Sequence, residues 1–344
     1  MTRTPAPRPS NRRRLARRRA PRRAAQSGAA LLTVLLLVAV MTVLLVAVMD
    51  DIRFALRRTG NAQALAQAQW YALGSEQLAR ARIHQLDRDG RTTLAGGWNG
   101  RPFLFPIDGG VMQVRLDDAS ACFNLNSVVE GAPGQWRRRE AGVQQYLALL
   151  EALEFDSARA NAMADALVDW IDQDPHPGRA GAEDPAYAAR SPGDRTSGAL
   201  LAEASELRAI AAHDAAAYAR LRPHVCAQPE AALSPINVNT LEDGDAVLLA
   251  MLGDNRLDTA AARRVLAARP AGGWPDLQAF AAQPAIRAAG LPDHALQQIS
   301  LRTRWFALET RVEHAGAEVV LSALFDRDSQ GPARLVARRW THDE

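Results

Sequence analysis

Residues Gln26 to Asp51 read QSGAALLTVLLLVAVMTVLLVAVMDD, and the rest of the chain is interpreted from this stretch. No residue from Ala29 to Met49 carries a charge. A helix of that length rises about 30 Å, the thickness of a bilayer core. Arginines precede it, and Asp50 and Asp51 follow. The charge asymmetry places the N-terminal side in the cytoplasm and the residues beyond 50 outside. A secretory signal has an apolar region of roughly 7–15 residues followed by a small-residue cleavage site, and this run is longer. Beyond it, Ile52, Leu56, Leu65, Trp70, Leu73, Leu78 and Ile83 recur loosely at helical spacing, without proline. One helix is therefore predicted to about His84. A plain single-pass anchor followed by a linker satisfies the same composition.

The formal charge of +3 is misleading. Residues 1–28 hold ten arginines and no acid, which leaves 31 basic against 38 acidic residues in the remainder. That remainder, at −7, argues against a surface built mainly to grip nucleic acid. With 344 residues, 48% of them hydrophobic, the chain is long enough for two domains.

Basic leader, glycine and apolar run, in that order, resemble the start of a type IV prepilin or pseudopilin. The resemblance implies cleavage between Gly28 and Ala29 by a prepilin peptidase, N-methylation of Ala29, and retention of residues 29–49 as the transmembrane part of the helix. Most members of that class carry glutamate at the fifth mature position, where this chain has Thr33. One subfamily characteristically lacks the glutamate: the general secretion pathway protein K family, the large minor pseudopilins of type II secretion. Further segments resemble that family in the same order: DDIRFALRRTGNAQALAQAQWYALGSEQLAR (50–80), ACFNLNSVV (121–129), DWIDQD (169–174) with GAED (181–184), SELRAI (205–210), YARLRPHVCA (218–227) and SPINVNT (234–240).

Strand periodicity appears at Val111–Asp118 and again from Gln298, where three antiparallel strands are predicted with turns near Ala315–Gly316 and Ser329–Gly331. Between them lie helical patterns, including a pair broken near Glu154–Ser157, and an aperiodic loop over 172–198. The expected fold class is α+β. A type IV pilin-like domain (50–122 and 298–344), with a long N-terminal helix against an antiparallel sheet, is interrupted by an all-α insert (123–297) of helix-hairpin-helix or SAM-like helices. The family resemblance implies the same architecture.

Cys122 and Cys226 are the only cysteines, and both fall outside the membrane in this topology, in an oxidising compartment. They pair as a disulfide or stay as two buried thiols. Asp169, Asp172, Asp174, Glu183 and Asp184 lie within sixteen residues. They are either a solvated acidic loop or, as the family's known calcium binding implies, ligands for one or two calcium ions, which take six to eight hard oxygens. No catalytic residue is assigned. The seven histidines form no H-E-x-x-H pair, and there is no G-x-S-x-G and no P-loop. Asn124, Asn126, Asn237 and Asn239 read as turn and cap residues.

The resemblance implies a function in assembly. The chain would sit at the tip of the periplasmic pseudopilus with minor pseudopilins I and J, and would contact the major pseudopilin only indirectly. It would span the inner membrane once and support export of folded proteins across the outer membrane. A large insert would obstruct a subunit stacked above it, and a terminal subunit has no neighbour whose ammonium group needs a fifth-position carboxylate. The alternative is a membrane-anchored helix-hairpin-helix DNA-binding or DNA-uptake protein, suggested by INVNTLEDGDAVLLAML (236–252). Its hairpin, LGDNRLDT (252–259), carries two aspartates and one arginine, so no nucleic acid is expected as a partner.

Overall fold

The computed structural model describes residues 27–86, 90–190, 193–254, 256–328 and 331–341. The leader up to Gln26 lies outside the described residues, as do Ser329 and Gln330 of the expected last turn. A single helix, α1 (Ser27–Leu86), opens the chain. Two compact units divide within it, 1–62 and 63–344.

In the first unit the helix is exposed throughout residues 28–62. The hydroxyls of Thr33, Thr42 and Thr59 each donate to a carbonyl three or four residues back, so none needs an outside partner.

In the second unit α1 buries a spine of small residues: Ala64, Ala68, Ala72, Ser75 and Ala79, ending on Ile83. The spacing of three and four places them on one face. Small side chains there allow the backbone to lie close to a five-stranded antiparallel sheet. Its strands are β1 (Pro102–Ile107), β2 (Gly110–Asp118), β3 (Trp305–His314), β4 (Ala317–Asp326) and β5 (Arg334–Thr341), and they pair in chain order. Strand β2 alternates strictly, with Met112, Val114, Leu116 and Asp118 turned inward. The register sets Leu116 opposite Leu308 and Val312 opposite Val319. The β3–β4 turn falls at Ala315 and Gly316, both at positive φ, as a two-residue hairpin that follows the strand twist requires.

The sheet has one more strand than the sequence pattern suggests. Strand β1 carries Pro102 and Pro106 and has no buried residue, so it lacks the alternation that marks a half-buried strand. As an edge strand it can accommodate the missing N–H groups.

Between β2 and β3 the chain builds a separate helical core that runs from Phe123 to Ile299. Helices α2 (Glu140–Ala152) and α3 (Ser157–Ile171) are followed by α4 (Asp184–Ala188) and α5 (Ala215–Leu221). Then come α6 (Ala246–Leu252), α7 (Thr259–Ala267), α8 (Leu277–Ala281), α9 (Pro284–Ala289) and α10 (Asp293–Gln298). Every residue of α6 is buried. Asp156, Asp214, Asp258 and Asp276 cap α3, α5, α7 and α8, each accepting from a backbone N–H three residues on. Ile299 and Ser300 pair with Ile236 and Asn237 inside this unit, so the sheet resumes only at Trp305.

One asparagine device is used twice. Asn124 and Asn237 each accept from the N–H two residues on, at 3.2 and 3.0 Å, and each sits in a two-residue parallel pairing. Their amide nitrogens donate to distant groups: Asn124 to the carbonyls of Glu230 and Ala232, Asn237 to Thr92 and Thr303. The helical region is thus two successive modules, each opened by an Asn-x-Asn turn. At the junction with the sheet, the buried Asp118 carboxylate accepts from Thr240 (2.5 Å), Thr303 (2.7 Å) and the N–H of Ser120 (2.7 Å). Burial raises its pKa, and these three donors oppose the shift.

Candidate functional site

Two surfaces stand out: the acidic end of α3 and the outer face of α1.

Helix α3 ends in carboxylates, with no basic residue in its last turn. Partial negative charge at a helix C-terminus disfavours that arrangement. Asp165, Asp169 and Asp172 follow one another at i, i+4 and i+7 and share a face. The loop after α3 folds back onto them. The N–H of Gly178 donates to both oxygens of Asp169 at 3.0 Å, and that of Ala180 donates to Asp165 at 3.0 Å. A Cβ at Gly181 would lie 1.9 Å from an Asp169 oxygen, so only glycine permits this approach.

Burial, reinforced by the neighbouring acids, pushes Asp169 up to about 6 and Asp172 up to about 7. The acids acting on Asp172 are Asp174, Asp169 and Glu183. Burial also raises Glu183, with Asp169 the next cause. One oxygen of Asp172 and one of Glu183 are buried without a hydrogen-bond partner. Such orphaned carboxylate oxygens are costly and fit a hard cation such as calcium.

The five acids singled out in the sequence are not equivalent. Asp169, Asp172 and Glu183 are buried and face one another electrostatically. Asp174 accepts from the N–H of His176 in its own turn, at 2.9 Å. Asp184 is exposed and accepts from both the N–H and the hydroxyl of Thr196, each at 2.9 Å. Among the described residues no three ligating side chains already surround one point. Asp165 was not singled out, although its i, i+4 spacing to Asp169 is visible in the sequence. It is held at 2.9 Å by Arg138, whose charge also acts on Asp172.

Cys122 and Cys226 are joined by a disulfide, with Cα atoms 5.8 Å apart, beside the pairing of Phe123–Asn124 with Val225–Cys226.

On α1, Trp70 is 69% exposed and Leu78 47% exposed. Ile83, one of the apolar residues that recur at helical spacing in the sequence, is fully buried against the sheet, and Leu73 packs against the same core. The exposed large apolar side chains of α1 in this unit are thus Leu65, Trp70 and Leu78, the last two lying within residues 70–83. At the other end of the helix, a side chain at Gly28 would meet nothing within 4 Å, so the fold does not demand glycine there.

Family models for the type II secretion system protein K match residues 121–230 and 236–302, the two modules opened by the Asn-x-Asn turns. The type II secretion system protein K of Klebsiella pneumoniae is 40% identical over 250 residues, covering 72% of this chain and 76% of its own. The chain belongs to the type II secretion system protein K family. The Pseudomonas aeruginosa family member is 33% identical over 312 residues, covering 87% of this chain and 88% of its own. The crystal structure of the GspK-GspI-GspJ complex from enterotoxigenic Escherichia coli contains a chain similar at a TM-score of 0.71 and 32% identity, covering 83% of this chain and all of that one. The long helix, antiparallel sheet and helical insert are thus the family's architecture. Within α1 lies a segment long and apolar enough to cross a membrane, with a mean hydropathy of 3.1.

Proposed function

We propose that this chain is the minor pseudopilin that forms a ternary complex with minor pseudopilins I and J at the tip of the pseudopilus. It supports assembly of the pseudopilus and export of folded proteins. The similarity to the family member solved in the GspK-GspI-GspJ complex carries this reading. Residues 29–49 anchor the protein once in the inner membrane, and the bulk is periplasmic. A prepilin peptidase removes the leader after Gly28, and Ala29 becomes the methylated N-terminus. Thr33 supports a terminal place, because its hydroxyl is satisfied by Ala30 of its own helix at 2.9 Å and needs no neighbouring subunit. Contact with the major pseudopilin is through I and J.

Asp169, Asp172 and Glu183, with Asp174 beside them, would hold one or two calcium ions. A bound ion would neutralise the carboxylates and fix the loop that carries them. The DNA-receptor alternative has less support. Arg256, in the hairpin between α6 and α7, pairs with Asp254 at 3.6 Å, and Asp258 is engaged in capping α7. Carboxylates occupy the turn where phosphate would be met.

The test is co-purification of the detergent-solubilised mature chain with I and J, analysed by size exclusion and ultracentrifugation beside a duplex-DNA titration at physiological salt. A stoichiometric complex that is weakened by Trp70→Glu or Leu78→Asp, in variants that melt like the parent, is expected. Absence of that complex, together with saturable DNA binding, would reverse the assignment.

A further inference from the structure

A cleft of about 460 Å³ opens on the helical unit. Arg159, Arg190 and Arg208 line it, and the segment Ile210–Asp214 completes its wall. Each guanidinium lies over an aromatic ring: Arg190 over Tyr187 at 4.2 Å, Arg159 over Phe155 at 5.6 Å, and Arg208 over Tyr218 at 5.9 Å. Stacking of this kind restrains the planar fork and leaves its N–H edges free to donate.

These charges are not balanced from within. Asp214, the only acid lining the cleft among the described residues, pairs with Arg159 at 2.7 Å and also caps α5. Arg190 donates to the carbonyl of Ala209 at 2.7 Å, a neutral partner. Among the described residues neither Arg190 nor Arg208 forms an ion pair. Two positive charges therefore remain uncompensated on a chain whose residues after the leader are acidic overall.

The wall is rigid. His213 is buried; its Nδ1–H donates to the carbonyl of Ala211, and its Nε2 accepts from the Tyr146 hydroxyl, both at 2.8 Å. Burial, with the Arg159 charge adding to it, lowers the His213 pKa to about 4, so the ring stays neutral and the cleft keeps the same charge at ordinary pH. Ala212, between them, is held at φ +64° without being glycine. Strain of that kind is retained where the surroundings over-determine the backbone, and it clusters at ligand sites. The N–H of Ala211 donates to the Tyr187 hydroxyl at 3.1 Å, which ties this segment to the ring beneath Arg190.

We propose that this cleft binds an acidic peptide segment of a protein partner, one that presents two neighbouring carboxylates to Arg190 and Arg208. Paired guanidinium forks match carboxylates bidentately, and the two unpaired charges set the number of acids required.

The test uses the full chain in detergent and a fluorescein-labelled peptide, Gly-Ser-Glu-Glu-Asp-Gly-Ser, followed by anisotropy. The control peptide carries Gln and Asn in place of the acids. Saturable binding of the acidic peptide alone is expected, weakening with salt. Loss of one bidentate partner should reduce affinity by about tenfold, so Arg208→Gln, whose side chain only stacks, should bind about tenfold more weakly. Arg190→Lys/Arg208→Lys should also bind more weakly although its net charge is unchanged. Arg263→Ala, on a different cleft, should bind as the parent does. Equal affinity for both peptides, undiminished binding by Arg208→Gln, or full displacement by millimolar inorganic phosphate would overturn the proposal, the last by showing a site for small anions only.

Discussion

Arg338 on β5 donates to both carboxylate oxygens of Glu76 on α1, from Nε at 2.6 Å and from Nη2 at 2.8 Å. The Glu76 side chain is 4% exposed, whereas that of Arg338 is 40% exposed. The buried partner therefore depends on the accessible one. Arg338→Ala should destabilise the sheet unit by about 2–3 kcal/mol, because it leaves a carboxylate buried and unpaired. Glu76→Leu combined with Arg338→Met should recover most of that loss in chemical denaturation. Equal losses in the single and double variants would show that the ion pair is not the source.

The Cys122–Cys226 disulfide closes a loop spanning 104 positions at the point where the chain has just left β2. Restricting so long a loop in the unfolded chain should contribute about 3–4 kcal/mol. Thiol titration of the denatured, unreduced periplasmic protein should find no free thiol. Cys226→Ser should lower the melting temperature of the helical unit, whereas an unchanged melt with two titratable thiols would contradict the linkage.

The acidic end of α3 predicts an unusual pH response. Asp169 and Asp172 titrate at about 6 and about 7 when folded, against 3.8 unperturbed. Between those values the folded chain holds protons that the unfolded chain has already released. Without metal, stability should therefore fall as pH rises from about 4 to about 7, then level off. Calcium held there would bind the ionised form, so its stabilisation should grow across the same interval, reaching about 2.7 kcal/mol at a hundred times its Kd. Melts at several pH values, with calcium or with chelator, measure both trends. Asp172→Asn should flatten the metal-free slope and remove most of the calcium gain. A calcium effect independent of pH would place the ion elsewhere.

Gly28→Leu should leave folding unchanged, since nothing lies near the new side chain, yet it should block removal of the leader. Intact mass and N-terminal sequencing of membrane-extracted protein, with and without the peptidase, decide this. Normal processing of the variant would mean that the glycine is not read.

What the sequence discloses depends on how local the cause is. The apolar run, the α2–α3 break and the Ala315–Gly316 turn are written in adjacent residues. Strand β1 is not, because its prolines and exposure erase the period of two. Ile83 carries the same apolar signal whether it faces the sheet or water, and only the position of the sheet distinguishes them. In the acidic region, composition alone marks the cluster. It does not separate Asp184, held by Thr196, from the orphaned oxygens of Asp172 and Glu183, because that depends on how the loop folds back over α3. Glu76 and Arg338, 262 positions apart, show no local pattern at all.

The helical unit leaves the sheet at Asp118 and returns at Trp305, residues one step apart in the β2–β3 register, where Asp118 lies opposite Phe306. Both attachments therefore sit at the same end of two adjacent strands, each flanked by another strand of the sheet. A mechanical load drawn along those strands through the helical unit would pull β2 and β3 together. It would be resisted by the β1–β2 and β3–β4 ladders side by side, in shear. Hydrogen bonds loaded in that way must yield as a group, whereas a unit attached through one edge strand would peel away bond by bond.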